Sequence, residues 1–177
     1  MLNMKKNELL CAPITYQGGK ARLASTILDY INPGLNGLFY DLCCGAGSIS
    51  LELINRGMDT KRIVMVDSGP FGLFWQMVGA GEFDLTKFSH ICSNVPNDPR
   101  EIKTYMESLY HTLPGDDWIY KYIILQASCI GGKAMTIKEG KWIRCSGFRD
   151  YWQPTSCSRR RSPVNPMMPM PDTILKR

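Results

Sequence analysis

One segment, residues 38–67, constrains the fold of this chain more than any other. Its pattern predicts, in order, an apolar strand (residues 38–42), a glycine turn (Gly45-Ala46-Gly47), an apolar helix (residues 48–56) and a second strand (residues 62–66). Ser48 is expected to cap the helix and Gly57 to end it. Because a strand–helix–strand unit produces a parallel pair of strands, the segment predicts an α/β fold.

Two acidic residues stand at the ends of the predicted strands. Asp41 lies just before the glycine turn, and Asp67 follows Gly47 by 20 residues, after the second strand. Glycine allows a ligand to approach the backbone, and a carboxylate at the second position can accept hydrogen bonds from ribose hydroxyls. Asp41 can hold an amino group. The pattern predicts a nucleoside site, and a turn that serves packing alone is the alternative. A dinucleotide fits less well, because Ser50 stands where a third small residue is needed.

A second glycine-containing loop precedes this unit. The segment Ala12-Pro13-Ile14-Thr15-Tyr16-Gln17-Gly18-Gly19-Lys20 places two glycines and a lysine directly before an apolar helix at residues 20–31. The spacing predicts a tight loop whose lysine can meet a carboxylate or a phosphate. A Walker-type phosphate loop is excluded, because residue 21 is alanine rather than serine or threonine.

In their order and spacing, these elements resemble the first motifs of the Dam-like (D12-class) DNA adenine-N6 methyltransferases, over about residues 12–67. The resemblance implies a partial Rossmann-like core that binds S-adenosylmethionine (AdoMet), followed by a mostly helical target-recognition insertion. It implies site-specific methylation of adenine in double-stranded DNA, as in phages and restriction–modification systems. The cofactor-binding residues that it implies are Tyr16, Gly18, Gly19, Lys20, Asp41, Gly45, Ala46, Gly47 and Asp67.

The rear of the chain has the charge expected of a DNA-binding region. Residues 1–130 hold 11 Lys and Arg against 13 Asp and Glu, whereas residues 131–177 hold 10 against 3. The predicted DNA-binding residues are Lys133, Lys141, Arg144, Arg149, Arg159, Arg160 and Arg161. Interleaved aromatic residues, Trp142, Phe148, Tyr151 and Trp152, can stack on bases. The alternative is that the aromatic side chains are core and the charges are solvated.

Further helices are predicted at residues 71–80, 99–111 and 117–130, with Asp98 as N-cap and Pro99 as first residue of the second. Regularity is expected to fade after Gly131-Gly132. Residues 154–171 contain five prolines and are expected to be loop or extended chain. The resulting division is residues 1–69 for the cofactor, residues 70–165 for target recognition, and residues 166–177 as a segment leading to a missing catalytic half.

The Asp-Pro-Pro-Tyr/Phe motif, with which the family holds the extruded adenine, does not occur in the sequence. The catalytic residues are therefore unknown, and a separately encoded catalytic half is an expected partner. A non-catalytic DNA- and AdoMet-binding module is the main alternative. A third is another α/β nucleoside-binding enzyme, such as an RNA or small-molecule methyltransferase.

The remaining composition limits other classes of protein. Seven cysteines occur without a Cys-x-x-Cys pair, and neither histidine has a cysteine at ligand spacing, so no metal site is predicted. Reduced thiols and the lack of roughly 18 consecutive apolar residues favour a protein of the cytoplasm, in a bacterium or a phage-infected cell, and not of the membrane.

Overall fold

The computed structural model describes residues 9–34 and 36–149, and the backbone of two short strands at 156–158 and 161–162. These residues form a mixed α/β structure with six α-helices and three two-stranded sheets. In chain order the elements are α1 (Ala24–Ile31), β1 (Phe39–Asp41), α2 (Ser48–Asn55), β2 (Ile63–Met65), α3 (Pro70–Ala80), α4 (Leu85–Ser93), α5 (Pro99–His111), α6 (Trp118–Ser128), β3 (Met135–Lys138), β4 (Lys141–Arg144), β5 (Ser156–Ser158) and β6 (Arg161–Ser162).

The predicted strand–helix–strand unit is confirmed. Strands β1 and β2 pair in parallel, with Phe39 opposite Ile63 and Asp41 opposite Met65. Two backbone hydrogen bonds extend the pairing beyond the strands: Val66 donates to Asp41 at 2.9 Å, and Cys44 donates to Val66 at 3.0 Å. The residues after both strands therefore meet at one edge of the sheet.

The start of α2 differs from the prediction. The N-cap is Gly47, which has a φ of +77°, and Ser48 is the first helical residue. The prediction that Ser48 caps the helix is therefore wrong. Glycine takes the left-handed conformation more readily than any residue with a Cβ, and this conformation turns the chain sharply into the helix. The other end agrees with the sequence, because α2 ends at Asn55 and Gly57 follows with a φ of +93°.

Helix ends with local sequence signals fall where they were predicted. Asn32 ends α1 in a left-handed conformation, directly before Pro33. Asp98 caps α5, and its side chain accepts a hydrogen bond from the amide of Arg100. The predicted start of α1 at residue 20 is wrong, because residues 20–23 form tight turns before the regular helix begins at Ala24.

The region after Gly131-Gly132 is more regular than predicted. Strands β3 and β4 form an antiparallel hairpin in which Lys138 lies directly opposite Lys141. The two turn residues, Glu139 and Gly140, have φ values of +52° and +71°. Positive φ at both central residues is typical of the type I′ turn that suits a two-residue hairpin. The glutamate–glycine pair is an uncommon form of this turn signal.

One main hydrophobic cluster joins most of the described chain. It extends from Ala12 to Phe148 and includes buried side chains of α2, α3, α5, α6 and the β3–β4 hairpin. A second, small cluster of Leu28, Leu53 and Met58 lies between α1 and α2. The main cluster thus draws on both sides of the predicted division at residues 69 and 70. None of the helices in the described part of the chain has the length and apolarity needed to cross a membrane.

One face of β1 is uncovered by the described residues. Tyr40 in β1 and the residues that flank the strand, Leu38 and Leu42, are 56%, 62% and 65% exposed. Alternate side chains of a strand point to the same face of the sheet. Parallel sheets almost always have both faces covered, so this bare apolar face is unusual for a parallel pair. We call Leu38, Tyr40 and Leu42 the bare face of β1.

Candidate functional site

Asp67 ties the end of β2 to the glycine turn. Its Oδ2 accepts a hydrogen bond from the Gly45 amide at 2.9 Å, and its Oδ1 accepts one from the Gly69 amide at 2.8 Å. A carboxylate oxygen can accept more than one hydrogen bond, so each oxygen keeps capacity for a further donor. The structure therefore brings together two of the residues predicted for the cofactor, Gly45 and Asp67.

Tyr16 lies over the glycine turn. A Cβ added to Gly45, which has a φ of +49°, would lie 3.5 Å from Cε1 of Tyr16. The Tyr16 ring packs edge-on against Phe71, with ring centroids 5.1 Å apart. Burial, and then the charge of Asp67, raise the pKa of the Tyr16 hydroxyl. The first predicted loop thus contacts the turn, and the charge of Asp67 acts on its tyrosine.

Asp41 precedes the glycine turn, and a buried serine of α2 holds its carboxylate by a hydrogen bond. Ser50 is fully buried in α2, and its hydroxyl donates to Asp41 Oδ2 at 2.8 Å. Burial, followed by the charges of Asp67 and Asp41, raises the pKa of the Cys44 thiol to about 12. The charges of both carboxylates therefore act on one buried thiol beside the turn.

Sequence reasoning missed Trp75, which closes the turn from the side of α3. Its Nε1 donates to the carbonyl oxygen of Gly45 at 2.8 Å. A Cβ on Gly47 would lie only 2.5 Å from Cζ2 of Trp75, so residue 47 must be glycine for packing as well as for its φ. The apolar run at residues 71–80 predicted the helix, but no local signal in it indicates which aromatic side chain meets the turn.

The rest of the first loop is exposed. The Gly19 amide donates to the carbonyl of Tyr16 at 2.8 Å, and Gly18 has a φ of +89°. Both observations are typical of a type II turn over residues 16–19. The Lys20 ammonium donates to the Gly18 carbonyl of the same loop. The roles predicted for Gly18, Gly19 and Lys20 at the cofactor stay predictions.

A cavity of about 700 Å³ opens beside Asp67, between α2, β2 and α3. Its walls are mostly apolar and include Leu51, Ile54, Ile63, Met65, Leu73 and Val78. Its polar lining residues are Thr60, Asp67, Ser68 and Gln76. Apolar walls with a few polar groups, at a volume of several hundred Å³, are typical of a small-molecule site.

Ser48 carries a polar atom with no partner among the described residues. The serine is buried at the first position of α2, and its Oγ makes no hydrogen bond there. Burying a hydroxyl without a hydrogen-bond partner is energetically costly. A ligand bound beside the glycine turn would supply the missing partner. The backbone amides of the first helical turn lie at the same place.

The predicted DNA-binding residues are in different environments. Lys133 and Lys141 are exposed. The Arg144 guanidinium instead lies 4.3 Å from the ring centroid of Tyr110 and 4.6 Å from that of Phe148, and it pairs with Glu107 Oε2 at 2.8 Å. An arginine held in this way stabilises the contact between α5 and the end of the hairpin.

The aromatic residues of this region are core where the structure describes them. Trp142 and Phe148 are both buried in the main cluster, so the prediction that they stack on bases is wrong, and the core alternative is confirmed. Arg149 is half-buried, and its amide donates to the Ser128 carbonyl. Tyr151, Trp152, Arg159 and Arg160 lie outside the described residues, and Arg161 is described only by its backbone in β6.

Comparison of the chain with protein-family models, with curated proteins and with solved structures found no match. Within residues 9–34 and 36–149, no group of three or more His, Cys, Asp and Glu side chains could hold a metal ion. The described features of the site are the Tyr16 loop, the glycine turn, Asp41, Asp67 and the adjoining cavity.

Proposed function

We propose that this chain is the AdoMet-binding and target-recognition part of a site-specific DNA adenine-N6 methyltransferase, acting on double-stranded DNA in a bacterial or phage-infected cell. The observation that carries the proposal is the convergence of Tyr16, Gly45 and Asp67 beside a cavity of about 700 Å³. The proposed core is Rossmann-like, with β1, α2 and β2 as its first unit.

The nucleoside end of AdoMet fits the surroundings of Asp67. The ribose hydroxyls can donate to the capacity that remains on Oδ1 and Oδ2, and the apolar walls of the cavity suit a purine ring. The glycine pattern alone would not carry the proposal, because Trp75 already explains why residue 47 has no side chain. A ligand is favoured instead by the further hydrogen bonds that the Asp67 carboxylate can accept and by the adjoining cavity.

The amino-acid end of AdoMet fits the surroundings of Ser48 and Asp41. A ligand carboxylate would be stabilised by the amides at the start of α2 and by the buried Ser48 hydroxyl. The Asp41 carboxylate, oriented by Ser50, would accept hydrogen bonds from the ligand's ammonium group. When bound, AdoMet supplies a methyl group on a sulfonium. The residues of this chain would hold and orient it.

The β3–β4 hairpin is the proposed contact with the DNA backbone. Lys138 and Lys141 are directly opposed across the two strands, and both are exposed. Like charges in directly opposed positions are destabilising, so the pair has a cost that a polyanion would relieve. Lys133, also exposed, precedes the hairpin. We leave Arg144 out of this surface, because it is engaged with Glu107, Tyr110 and Phe148 inside the protein.

A separately encoded catalytic half remains part of the proposal. The bare face of β1 supports it, because parallel strands are stable when both faces of the sheet are covered. The partner would carry the Asp-Pro-Pro-Tyr/Phe segment that holds the target base.

A non-catalytic module that binds AdoMet and DNA is the second candidate function. Asn97-Asp98-Pro99-Arg100 is the one stretch around an Asp-Pro pair, and in the structure it is the start of α5, with Asp98 bonded to the Arg100 amide. The stretch is thus explained by helix capping. A chain without a base-holding motif can bind both ligands and transfer nothing.

The first test is calorimetric binding of AdoMet to the full chain, compared with its Asp67→Asn and Asp116→Asn variants. Asp67→Asn is expected to weaken binding about tenfold or more, because a hydrogen bond to a charged group contributes ~1.5–3 kcal/mol. Asp116→Asn, at an exposed position away from the cavity, is the matched control. Folded wild-type protein that ignores millimolar AdoMet would overturn the cofactor assignment.

The second test asks whether this chain transfers methyl by itself. Labelled AdoMet is incubated with the chain and unmethylated duplex DNA, and the product base is identified. Methyl-adenine that depends on this chain contradicts the binding module. Binding of both ligands without transfer fits the module and equally a part that needs a separate catalytic half, and a preference for RNA over duplex DNA favours an RNA methyltransferase instead.

A further inference from the structure

Helix α6 carries a buried glutamine whose amide group is fully used. Gln126 is completely buried, and its Oε1 accepts hydrogen bonds from the Met135 amide at 2.8 Å and the Tyr122 hydroxyl at 3.4 Å. Its Nε2 donates to the carbonyl oxygens of Gly132 at 3.3 Å and Lys133 at 3.0 Å. An amide with both its donors and its acceptor engaged fixes the groups that it meets. Gln126 therefore sets the position of the chain between Gly132 and Met135.

Gly132 also holds the loop that carries Tyr16, by a backbone hydrogen bond. The Gln17 amide donates to the Gly132 carbonyl at 2.7 Å. Gly132 has a φ of +65°, and a Cβ there would lie 3.2 Å from the carbonyl oxygen of Thr15. The two backbone segments thus touch with no space for a side chain between them. A displacement of Gly132 would move the Tyr16 loop with it.

A series of aromatic contacts also connects Tyr16 to Gln126. Tyr16 packs edge-on against Phe71 at 5.1 Å, and Phe71 packs edge-on against Tyr122 at 5.6 Å. Tyr122 in turn meets Gln126 through its hydroxyl. The position of Tyr16 over Gly45 is therefore determined both through the backbone at Gly132 and through the edge-on ring contacts.

The same glutamine also fixes the start of the hairpin. Met135 is the first residue of β3, and its amide is the donor to Gln126 Oε1. Three residues further along, Lys138 faces Lys141 across the strands. Gln126 and Gly132 thus lie between the site proposed for the cofactor and the surface proposed for DNA, and they make direct hydrogen bonds toward both.

We propose that the turn at residues 130–133 couples the two sites, so that AdoMet bound at the glycine turn tightens the hold of the β3–β4 hairpin on DNA, with Gly132 as the positioning residue of the coupling. This inference rests on the proposed function. A ligand that fixes Tyr16 fixes the Thr15–Gln17 backbone, and through Gly132 and Gln126 it fixes the base of the hairpin. Coupling of this kind is reciprocal, so DNA must tighten AdoMet binding by the same factor.

The test compares two neighbouring alanine variants, Gly132→Ala and Gly131→Ala. Both glycines have positive φ, +65° and +69°, so both variants bear a similar backbone strain. A Cβ at Gly131 meets nothing within 4 Å, whereas one at Gly132 presses on Thr15. The difference between the variants therefore reports the contact between the turn and the Tyr16 loop.

A second variant keeps the test decisive should Gly132→Ala fail to fold. Gln17→Pro removes the amide that donates to Gly132, and proline suits the second position of a type II turn. The Gly132 carbonyl keeps its hydrogen bond from Gln126, so no buried acceptor is left without a partner. The tight turn over residues 16–19 should be retained in this variant.

The measurement is the AdoMet affinity with and without a short unmethylated duplex, and the duplex affinity with and without AdoMet. In the wild type and in Gly131→Ala, each ligand is expected to tighten the other about fivefold or more, the lower end of ordinary coupling between sites. In Gly132→Ala and Gln17→Pro the factor is expected to fall toward 1. Two results would overturn the proposed coupling but not the proposed function. One is a wild type that binds both ligands without either changing the affinity for the other. The second is a Gln17→Pro variant in which each ligand still tightens the other by the wild-type factor.

Hydrogen exchange of the Gln17 amide provides a readout that needs no ligand. Protection of this amide is expected in the wild type and in Gly131→Ala, because it bonds to Gly132, and is expected to be lost in Gly132→Ala. Equal protection in both variants would contradict the positioning role of Gly132. Absence of AdoMet binding by the wild type would instead overturn the proposed function, and the coupling with it.

Discussion

The two glycines of the turn after β1 perform different tasks. Gly45 has ordinary van der Waals space on the side of Tyr16, and its φ of +49° is its main constraint. Gly47 combines a φ of +77° with direct contact to the Trp75 ring. Gly45 is thus required for its backbone conformation alone, whereas Gly47 is required both for its conformation and because a side chain there would clash with Trp75.

The difference predicts unequal costs of substitution. Gly45→Ala should lower the free energy of unfolding by about 1–2 kcal/mol, the usual cost of left-handed backbone with a Cβ. Gly47→Ala should cost about 1–3 kcal/mol more, because the Cβ overpacks against Trp75. Urea unfolding of both variants measures the difference. Equal losses would mean that Trp75 does not press on the turn.

The buried thiols predict that the protein loses stability in alkali. Burial, together with the charges of Asp67 and Asp41, raises the pKa of Cys44 from 9.0 to about 12, and burial raises that of Cys129 to about 11. Above pH 9 the unfolded chain therefore releases protons that the folded chain retains. The free energy of unfolding should fall progressively as pH rises from about 9 toward 12.

Urea unfolding at a series of pH values checks this dependence. Cys44→Ala is expected to have a shallower decline than the wild type, because one of the retained protons is gone. Cys43→Ser is the matched control, because its thiol is the neighbour in sequence but is exposed. A stability that is constant from pH 8 to about pH 11 would contradict the buried environment of Cys44.

For individual residues, the sequence indicated some of the residues that belong to the site but not the contacts that they make. The spacing of Asp67 from the turn indicated a carboxylate at the sheet edge, and Asp67 does meet Gly45 there. Ser50 was considered only as an imperfect third glycine, whereas it is the donor that orients Asp41. Trp75 gave no signal at all. Both contacts join residues on different elements, and no local pattern encodes them.

The elements show the same contrast between local and non-local signals. Helix α5 begins where Asp98 and Pro99 require it, since capping depends on a few consecutive residues. The β3–β4 hairpin escaped prediction because its turn has glutamate where asparagine or aspartate is usual. Helix α4 was not predicted from the sequence, although Asp84 caps it by accepting from the Thr86 and Lys87 amides.

The hairpin turn predicts a substitution that stabilises the protein. Glu139 has a φ of +52°, which asparagine adopts at lower cost than glutamate. Glu139→Asn should therefore raise the free energy of unfolding, by about 0.5–1 kcal/mol. Thermal and urea unfolding measure the gain, with Glu101→Asn in α5 as a control that should not stabilise. A loss of stability in Glu139→Asn would contradict the type I′ geometry of the turn.

At the scale of the whole molecule, charge and core are distributed differently from the sequence division. In the sequence, the change of charge lies between residues 130 and 131, and the predicted division between the cofactor part and the target-recognition part lies between residues 69 and 70. The main hydrophobic cluster nevertheless includes Cys44 and Leu51 on one side and Phe74, Tyr122 and Phe148 on the other. Composition can locate a change of surface charge, but it does not indicate which apolar side chains share a core.

The salt dependence of the proposed DNA binding tests which cations contact the phosphates. Lys138→Ala and Lys141→Ala should each reduce the slope of log affinity against log salt by about 0.9, the value for one phosphate contact on duplex DNA. Arg144→Ala should leave the slope unchanged and lower the stability instead, because its guanidinium is paired with Glu107 and lies on two aromatic rings. Unchanged slopes in both lysine variants would remove the hairpin from the DNA surface.

The bare face of β1 has a consequence for the life of the protein in a cell. Leu38, Tyr40 and Leu42 form the kind of exposed apolar strip that chaperones hold and that quality-control proteases detect. The described residues leave this strip uncovered. Chains in which nothing else covers it would be retained or destroyed, and chains in which the proposed partner covers it would accumulate. The steady-state abundance of this protein would then depend less on its own synthesis than on the supply of whatever covers this face.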